Sequence, residues 1–462
     1  MKTQSLKLYK LILFALLVSL TALAQESKDW RSWAKTPPMG WNSYNSFGAN
    51  VWEPEVRANA DFMAAHLKQA GWQYVVVDFC WFYPQHKKST QNSPSQFRHR
   101  DGAYVPWLAM DNYGRLLPDQ NKFTSAKDGN GFKALADYVH SKGLKFGIHI
   151  MRGIPRQAVW DKSPIKGAPG IDASMIADTT SVCKWLNSMY GVDMSKPGAQ
   201  EYYNSLFEMY ASWGVDFVKM DDISGEGVPY YANEVEAARK AIDKCGRPIV
   251  LSLSLYMKLP EKEHLKQNAN MWRVSPDFWD EWKKVDEMFE LADNWQNEKQ
   301  IGNWPDLDML QLGVIARRGP VGKERETKFT PDEQKTHFSL WAIAKSPLMM
   351  GGDMTVSSPA TIEILKNKEI IDMNQLGVNA RQAMRNEKMA IWTSENPVAK
   401  SNYVAIFNLS KNTEAFNVDL KTLNIKSTKT IRDLWLHKDL GKCPKTLKLE
   451  IPSHGCIVYE LK

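Results

Sequence analysis

Two aspartates, Asp221 and Asp222, close the run WGVDFVKMDD, and Lys219 sits two positions before the first of them. Downstream, Asp277 follows Arg273 by four residues, and Asp306 and Asp308 sit in WPDLDML. Upstream are Asp78, with Phe79 next to it, and His149; Ser254 closes a later apolar run. The set is acidic with two fixed cations, and neither CxxC nor a clustered His/Cys spacing occurs, so no metal or cofactor is expected. Paired carboxylates in an open site suit displacement at an acetal carbon: one attacks or stabilises the carbon while the other protonates the leaving oxygen. Trp41, Tyr44, Trp81 and Trp304 flank these positions, where aromatic rings could stack on sugar faces.

These residues need a scaffold that delivers them to one place. The chain repeats one grammar four times: an amphipathic helix, a glycine, a continuous apolar strand, and a polar loop. Val56, Ala60, Met63 and Leu67 precede Gly71 and the strand 74–78; Phe132, Leu135, Ala136 and Val139 precede Gly143 and 144–149. Tyr203, Leu206, Phe207 and Tyr210 precede Gly214 and a strand expected over 216–219; Val235, Ala238 and Ile242 precede Gly246 and 248–254. Strands without polar alternation are buried on both faces, which is the pattern of parallel βα units. Further short elements at 36–48, 270–273, 304–310 and 347–351, with helices near 281–292 and 331–344, bring the strand count to eight. The fold class expected is therefore α/β, a (β/α)8 barrel, whose functional groups collect at the carboxyl ends of its strands. Two long connections, 82–130 and 154–196, leave such ends and should wall the same mouth.

After residue 375 the composition changes to short alternating segments separated by turn residues, which reads as a small C-terminal antiparallel β-sandwich domain. The expected division is 1–24, 25–375 and 376–462. Residues 1–24 carry Lys2, Lys7 and Lys10, an apolar run and a small-residue end at Ala22–Ala24. That is the form of a cleaved signal peptide, so a secreted or periplasmic protein is expected, with no membrane anchor. Loss of the three leader lysines takes the formal charge from +7 to +4. The basic residues are scattered, and no nucleic acid partner is expected. Five cysteines, Cys80, Cys183, Cys245, Cys443 and Cys456, exclude a disulfide scaffold, although Cys443 and Cys456 could bridge. Oligomeric state is not legible.

Several blocks in order, TPPMGWNSYNSFG, GWQYVVVDFCW, GLKFGIH, WGVDFVKMDD, MWRVSPDFWDEW, WPDLDML, SLWAIAKSPLMMGGDM, DLWLHKDLG and PSHG, carry a resemblance. Over nearly the whole mature length the chain resembles the melibiase-type glycoside hydrolases, glycoside hydrolase family 27, which comprises α-galactosidases and α-N-acetylgalactosaminidases. The resemblance implies a barrel with a C-terminal antiparallel β domain, and a retaining, exo-acting enzyme on an oligo- or polysaccharide. It places the nucleophile on Asp221 and the acid/base on Asp277. It assigns sugar contacts to Lys219, Arg273, Asp78, Tyr44, His149, Ser254, Phe79 and Asp308. Lys219 and Arg273 are expected to keep Asp221 ionised.

The departures bear on the sugar. Where the family has two adjacent acids after the second strand, this chain has Asp78 and Phe79, a loss of one charge-assisted hydrogen bond on the order of 1.5–3 kcal/mol. His149 replaces a tyrosine, Tyr44 a tryptophan, and Ser254 the glutamate of α-galactosidases; the cysteine expected after KMDD is missing. The expectation is an α-galactosidase-type hydrolase. The alternatives are the same machinery on β-L-arabinopyranosides or α-N-acetylgalactosaminides, or a glycan-binding relative without turnover.

Overall fold

The computed structural model describes residues 29–83, 97–98, 104–105, 108–425 and 430–462. The expected leader, and most of 84–107 within the first long connection, lie outside the described residues. Eight parallel strands form one sheet: β1 (Met39–Asn42), β2 (Tyr74–Val77), β3 (Lys145–Met151), β4 (Phe217–Asp221), β5 (Val250–Leu253), β6 (Met271–Arg273), β7 (Trp304–Asp306) and β8 (Leu348–Met350). Their order is β7-β6-β5-β4-β3-β2-β1-β8. A parallel bridge between Leu310 and Met350 brings the segment after β7 against β8, which closes the sheet into a barrel.

A helix follows each strand: α1 (Glu53–His66), α2 (Lys133–Ser141), α3 (Ala199–Trp213), α4 (Ala232–Cys245), α5 (Lys262–Asn268), α6 (Trp282–Asn294), α7 (Pro331–Ile343) and α8 (Pro359–Lys366). α3 and α4 end in left-handed glycines, Gly214 at φ 86° and Gly246 at φ 77°, a backbone state that side chains resist. β4 runs to Asp221, further than the apolar run alone indicates, because Met151 of β3 pairs with Asp221 and carries the ladder on.

Alternation along each strand sorts the barrel interior. Tyr74, Val76, Phe217, Val250, Met271, Trp304 and Met349 form an apolar plug at the amino ends of the strands. Gly40 makes room for it, since a Cβ there would lie 2.4 Å from the Tyr74 carbonyl oxygen. The next inward positions toward the carboxyl ends are polar or charged: Asn42, Asp78, His149, Lys219, Asp221, Arg273 and Asp306. The intervening positions, Val218 and Met220 on β4 for example, join the larger core beneath the helices.

A ninth helix, α9 (Lys368–Leu376), leads into the antiparallel domain. Its strands are β9 (Val378–Arg385), β10 (Met389–Asn396), β11 (Ser401–Asn408), β12 (Glu414–Asp419), β13 (Thr430–Asp433), β14 (Lys438–Lys442), β15 (Thr446–Ile451) and β16 (Cys456–Leu461). Six of them form a sheet in the order β9-β10-β11-β16-β13-β14, and β12 pairs with β15 over it, with a separate apolar core between. Sequence reading missed β9, β12 and β14. All five cysteines are free thiols, so the Cys443–Cys456 bridge does not form. Cys456 instead turns toward the barrel, where its Sγ lies 3.4 Å from Ser339 Oγ of α7.

Candidate active site

The polar ends of the strands open on a cavity of about 490 Å³. β4 places Lys219 and Asp221 on its inner face two residues apart, as a strand's period of two requires. Asp78 arrives one residue past β2, Arg273 ends β6, and Asp277 lies on the turn that leads to α6. Tyr44, Asp78, Phe79, Lys219, Asp221, Arg273 and Asp277 all line the cavity.

The polar contacts divide into two linked groups. Asp78 Oδ2 accepts from Lys219 Nζ at 3.0 Å and from Asn42 Nδ2 at 2.7 Å, while its Oδ1 accepts from the Phe79 amide at 2.8 Å. Burial alone would raise the Asp78 carboxyl, but the Lys219 and His149 interactions and the hydrogen bonds from Asn42 and the Phe79 amide together outweigh it and hold the group below the usual carboxylate range. Asp221 Oδ1 accepts from the Asp222 amide at 2.8 Å, and its Oδ2 lies 3.0 Å from His149 Nε2. Burial again opposes ionisation, and the His149 contact with the charges of Lys219 and Arg273 overcomes it, so Asp221 titrates well below an ordinary aspartate. The two expected cations do act on Asp221. Its direct partner, however, is His149, and Lys219 is bonded to Asp78.

Arg273 forms the second group. Its Nη2 donates to Asp277 Oδ1 at 2.7 Å and its Nη1 lies 3.5 Å from Asp308 Oδ1. Burial disfavours the cation, but Asp308 and Asp277 more than compensate and raise it above its usual value. Deeper, burial and then the neighbouring Asp308 push Asp306 up to about 7. Burial raises Asp308 as well, against the Arg273 charge. The Tyr44 phenol is raised by burial and by Asp277, Asp78 and Asp221, which fixes it as a neutral group at the cavity edge.

His149, Ser254 and Asp308 do not line the cavity. His149 and Ser254 are fully buried, and Asp308 is turned to the Phe278 amide at 2.8 Å and to Arg273. The tryptophans taken as stacking platforms are structural: Trp41, Trp81 and Trp304 are buried, their indole N–H groups given to the carbonyls of Gly352, His149 and Ala34. Sequence reading missed Leu255 and the segment Lys184–Asn187, which complete the wall. Trp185, 43% exposed, lies 5.7 Å from the Phe79 ring. The length of the 154–196 connection pointed to a wall there, but nothing local marks which residues reach the mouth.

Among the described residues no group of three or more His, Cys, Asp and Glu is disposed to hold a metal, and no helix is long and apolar enough to cross a membrane. A closed parallel βα barrel with two aspartates, Asp221 and Asp277, lining one sugar-sized cavity, followed by an antiparallel domain, fits a glycoside hydrolase. Residues 191–376 match the family described as alpha galactosidase A, and residues 386–461 match the alpha galactosidase C-terminal beta sandwich domain. A β-L-arabinopyranosidase of glycoside hydrolase family 27 from Geobacillus stearothermophilus is 47% identical, with a TM-score of 0.89 over 94% of this chain and 98% of that one. Alpha-galactosidase 2 of Arabidopsis thaliana is 28% identical over 98% of this chain and 97% of its own length. Alpha-galactosidase A of Cellvibrio japonicus is 29% identical over 97% and 96%. The chain belongs to glycoside hydrolase family 27, the α-galactosidase family, and is an enzyme whose substrate is a carbohydrate.

Proposed function

We propose that the protein is a retaining exo-glycosidase of the α-galactosidase type. In this reading Asp221 attacks the anomeric carbon while Asp277 gives its proton to the departing glycosidic oxygen. A glycosyl ester on Asp221 results. Asp277, now a base, takes a proton from water as that water attacks the same carbon, and Asp221 is released. The observation that carries the reading is the pairing of states in one cavity: a buried aspartate held ionised by His149, Lys219 and Arg273, with a second aspartate in the same wall. Asp78 and Lys219, already bonded to each other, supply acceptor and donor for sugar hydroxyls, and Tyr44 gives one ring face.

The sugar is argued from Phe79. A hydrocarbon ring stands in the wall where the family's second acid would grip a hydroxyl, so a substrate with one fewer hydroxyl to satisfy loses least. β-L-arabinopyranose has the ring stereochemistry of α-D-galactopyranose without the exocyclic hydroxymethyl group. Terminal β-L-arabinopyranosides are therefore the favoured substrates of this α-galactosidase-type machinery, with α-galactosides turned over more slowly. The similarity to the Geobacillus β-L-arabinopyranosidase supports this, as does an alanine variant of that enzyme in complex with arabinose, 46% identical to this chain. The apolar, lysine-headed leader supports export to the periplasm or medium.

The test is hydrolysis of nitrophenyl β-L-arabinopyranoside and nitrophenyl α-galactoside, with proton NMR following the first-formed anomer. Retention is expected, along with a loss of at least about 10³-fold in Asp221→Ala. Inversion, or an Asp221→Ala variant as active as the parent, refutes the mechanism.

A further inference from the structure

A second cavity, of about 560 Å³, lies at the opposite end of the barrel, against the β domain. Lys299, from the turn between α6 and β7, and Lys345, from the turn between α7 and β8, both face it, and β9 residues from Val378 to Arg381 form the other wall. Lys345 is buried and Lys299 partly so. Among the described residues neither ammonium has a carboxylate at ion-pair distance. Lys299 Nζ donates to the Ala380 carbonyl at 3.0 Å, and Lys345 Nζ donates to the Asn374 carbonyl. Lys345 also lies 5.5 Å from the centre of the Trp304 ring.

Two cations without counter-ions in one cavity are costly, and buried charges are ordinarily paired. Each ammonium has three N–H donors, of which the protein engages one. The other charged groups around the cavity do not settle the account: Arg381 on β9 adds positive charge, Glu395 on β10 is exposed, and Asp293 on α6 is hydrogen-bonded to Gln296. Burial pushes Lys299 down to about 7, and burial with the nearby Lys299 charge brings Lys345 to about 7.

We propose that this cavity is a binding site for a small oxyanion, either the carboxylate of a sugar acid or inorganic phosphate, clamped between Lys299 and Lys345 where the barrel meets the β domain. An oxyanion offers separate acceptor oxygens that can serve the unused N–H donors of both lysines, whereas chloride is a single acceptor atom. The volume admits a monosaccharide, and the exposed Asn297 amide on the lining suits its hydroxyls, while Gln296 and Gln300 are already bonded to Asp293, Gln382 and Asn303. The bound anion touches side chains of the barrel next to β9, so it should raise the melting temperature of the whole chain. It also draws protons onto the two lysines.

The experiment uses the full mature chain at constant ionic strength, with sodium phosphate, sodium galacturonate, neutral galactose and sodium chloride compared by thermal melting. At least one of the two oxyanions should raise the melting temperature saturably by several degrees, with galactose and chloride inert, and which of them acts identifies the ligand class. Calorimetry of that anion at pH 8 in two buffers of different ionisation enthalpy should show uptake of about one proton per anion. Lys345→Met should keep the parent glycosidase activity, since it lies at the far end of the barrel, and lose the anion effect. If neither oxyanion acts beyond chloride, if the parent takes up no proton, or if Lys345→Met responds like the parent, the site does not exist. The calorimetric result on the parent decides the matter even if the variant fails to fold.

Discussion

Replacing Phe79 with aspartate should change which sugar the enzyme prefers, and the size of the change follows from the wall of the site. The Phe79 ring stands edge-on to Tyr44 at 5.9 Å and to His149 at 5.7 Å, next to an Asp78 whose oxygens already serve Asn42, Lys219 and the Phe79 amide. Asp78 has little acceptor capacity left for an additional hydroxyl. Phe79→Asp supplies one: a carboxylate bonded to the exocyclic hydroxyl is worth on the order of 1.5–3 kcal/mol, or about 10- to 150-fold in rate. The substitution also forfeits the aromatic contacts and brings a further anion toward Asp221, and these costs fall on every substrate alike. The informative quantity is therefore the ratio of kcat/KM for nitrophenyl α-galactoside to that for nitrophenyl β-L-arabinopyranoside. It should rise by about 10- to 150-fold in Phe79→Asp, and by less than about tenfold in Phe79→Ala, which opens space without adding an acceptor. A folded Phe79→Asp protein with an unchanged ratio would refute the idea that residue 79 sets the sugar.

Two further expectations concern stability. Asp306 is held protonated up to about 7 by burial and by Asp308. The folded chain therefore binds more protons than the unfolded one between about pH 4 and 7, and stability from this group is lost as pH rises through 7. Asp306→Asn keeps the acceptor for the Asp308 amide, and should stabilise by on the order of 3–4 kcal/mol at pH 8 with no gain at pH 4; denaturant titrations at both pH values check it, and equal gains at both would contradict it. Arg152 holds Asp222 and Glu234 at 3.0 Å each, stacked 3.3 Å from the centre of the Tyr231 ring. Arg152→Met leaves two buried acids, Asp222 and Glu234, without their cation and should cost about 3–5 kcal/mol, seen as a lower melting temperature; a melt identical to the parent's would show the network to be dispensable.

The parallel barrel was legible because its signals are local. A glycine shortly after each of the first four barrel helices and unbroken apolar runs reflect backbone conformation and two-sided burial, and both are written in adjacent residues. Lys219 and Asp221 were legible for the same reason, since a two-residue spacing on a strand fixes a common face. Of the missed β-domain strands, β14 is exposed along its whole length and β9 over half of its residues, so burial does not pattern them clearly; β12 does alternate at Phe416 and Val418, but over only six residues. The tryptophans illustrate the converse. Flanking a site in sequence says nothing of which way an indole points, and Trp41, Trp81 and Trp304 spend their N–H groups on carbonyls within the core.

The role of His149 was beyond sequence reading because it depends on a register between strands 72 residues apart. In β3 and β4, His149 pairs with Lys219 and Met151 with Asp221, so the imidazole lies beside Lys219 and reaches one step along to the Asp221 carboxylate. That arrangement frees Lys219 to bind Asp78, and it couples Asp78 to Asp221 through one ammonium. Asp78 raises the Lys219 charge, and Lys219 in turn lowers Asp221. A change at Asp78 is then felt electrostatically at Asp221. On this geometry, Phe79 is a position at which the site can be adapted to a new sugar, since it lines the cavity next to Asp78 and its side chain takes no part in the Asp78–Lys219–Asp221 chain.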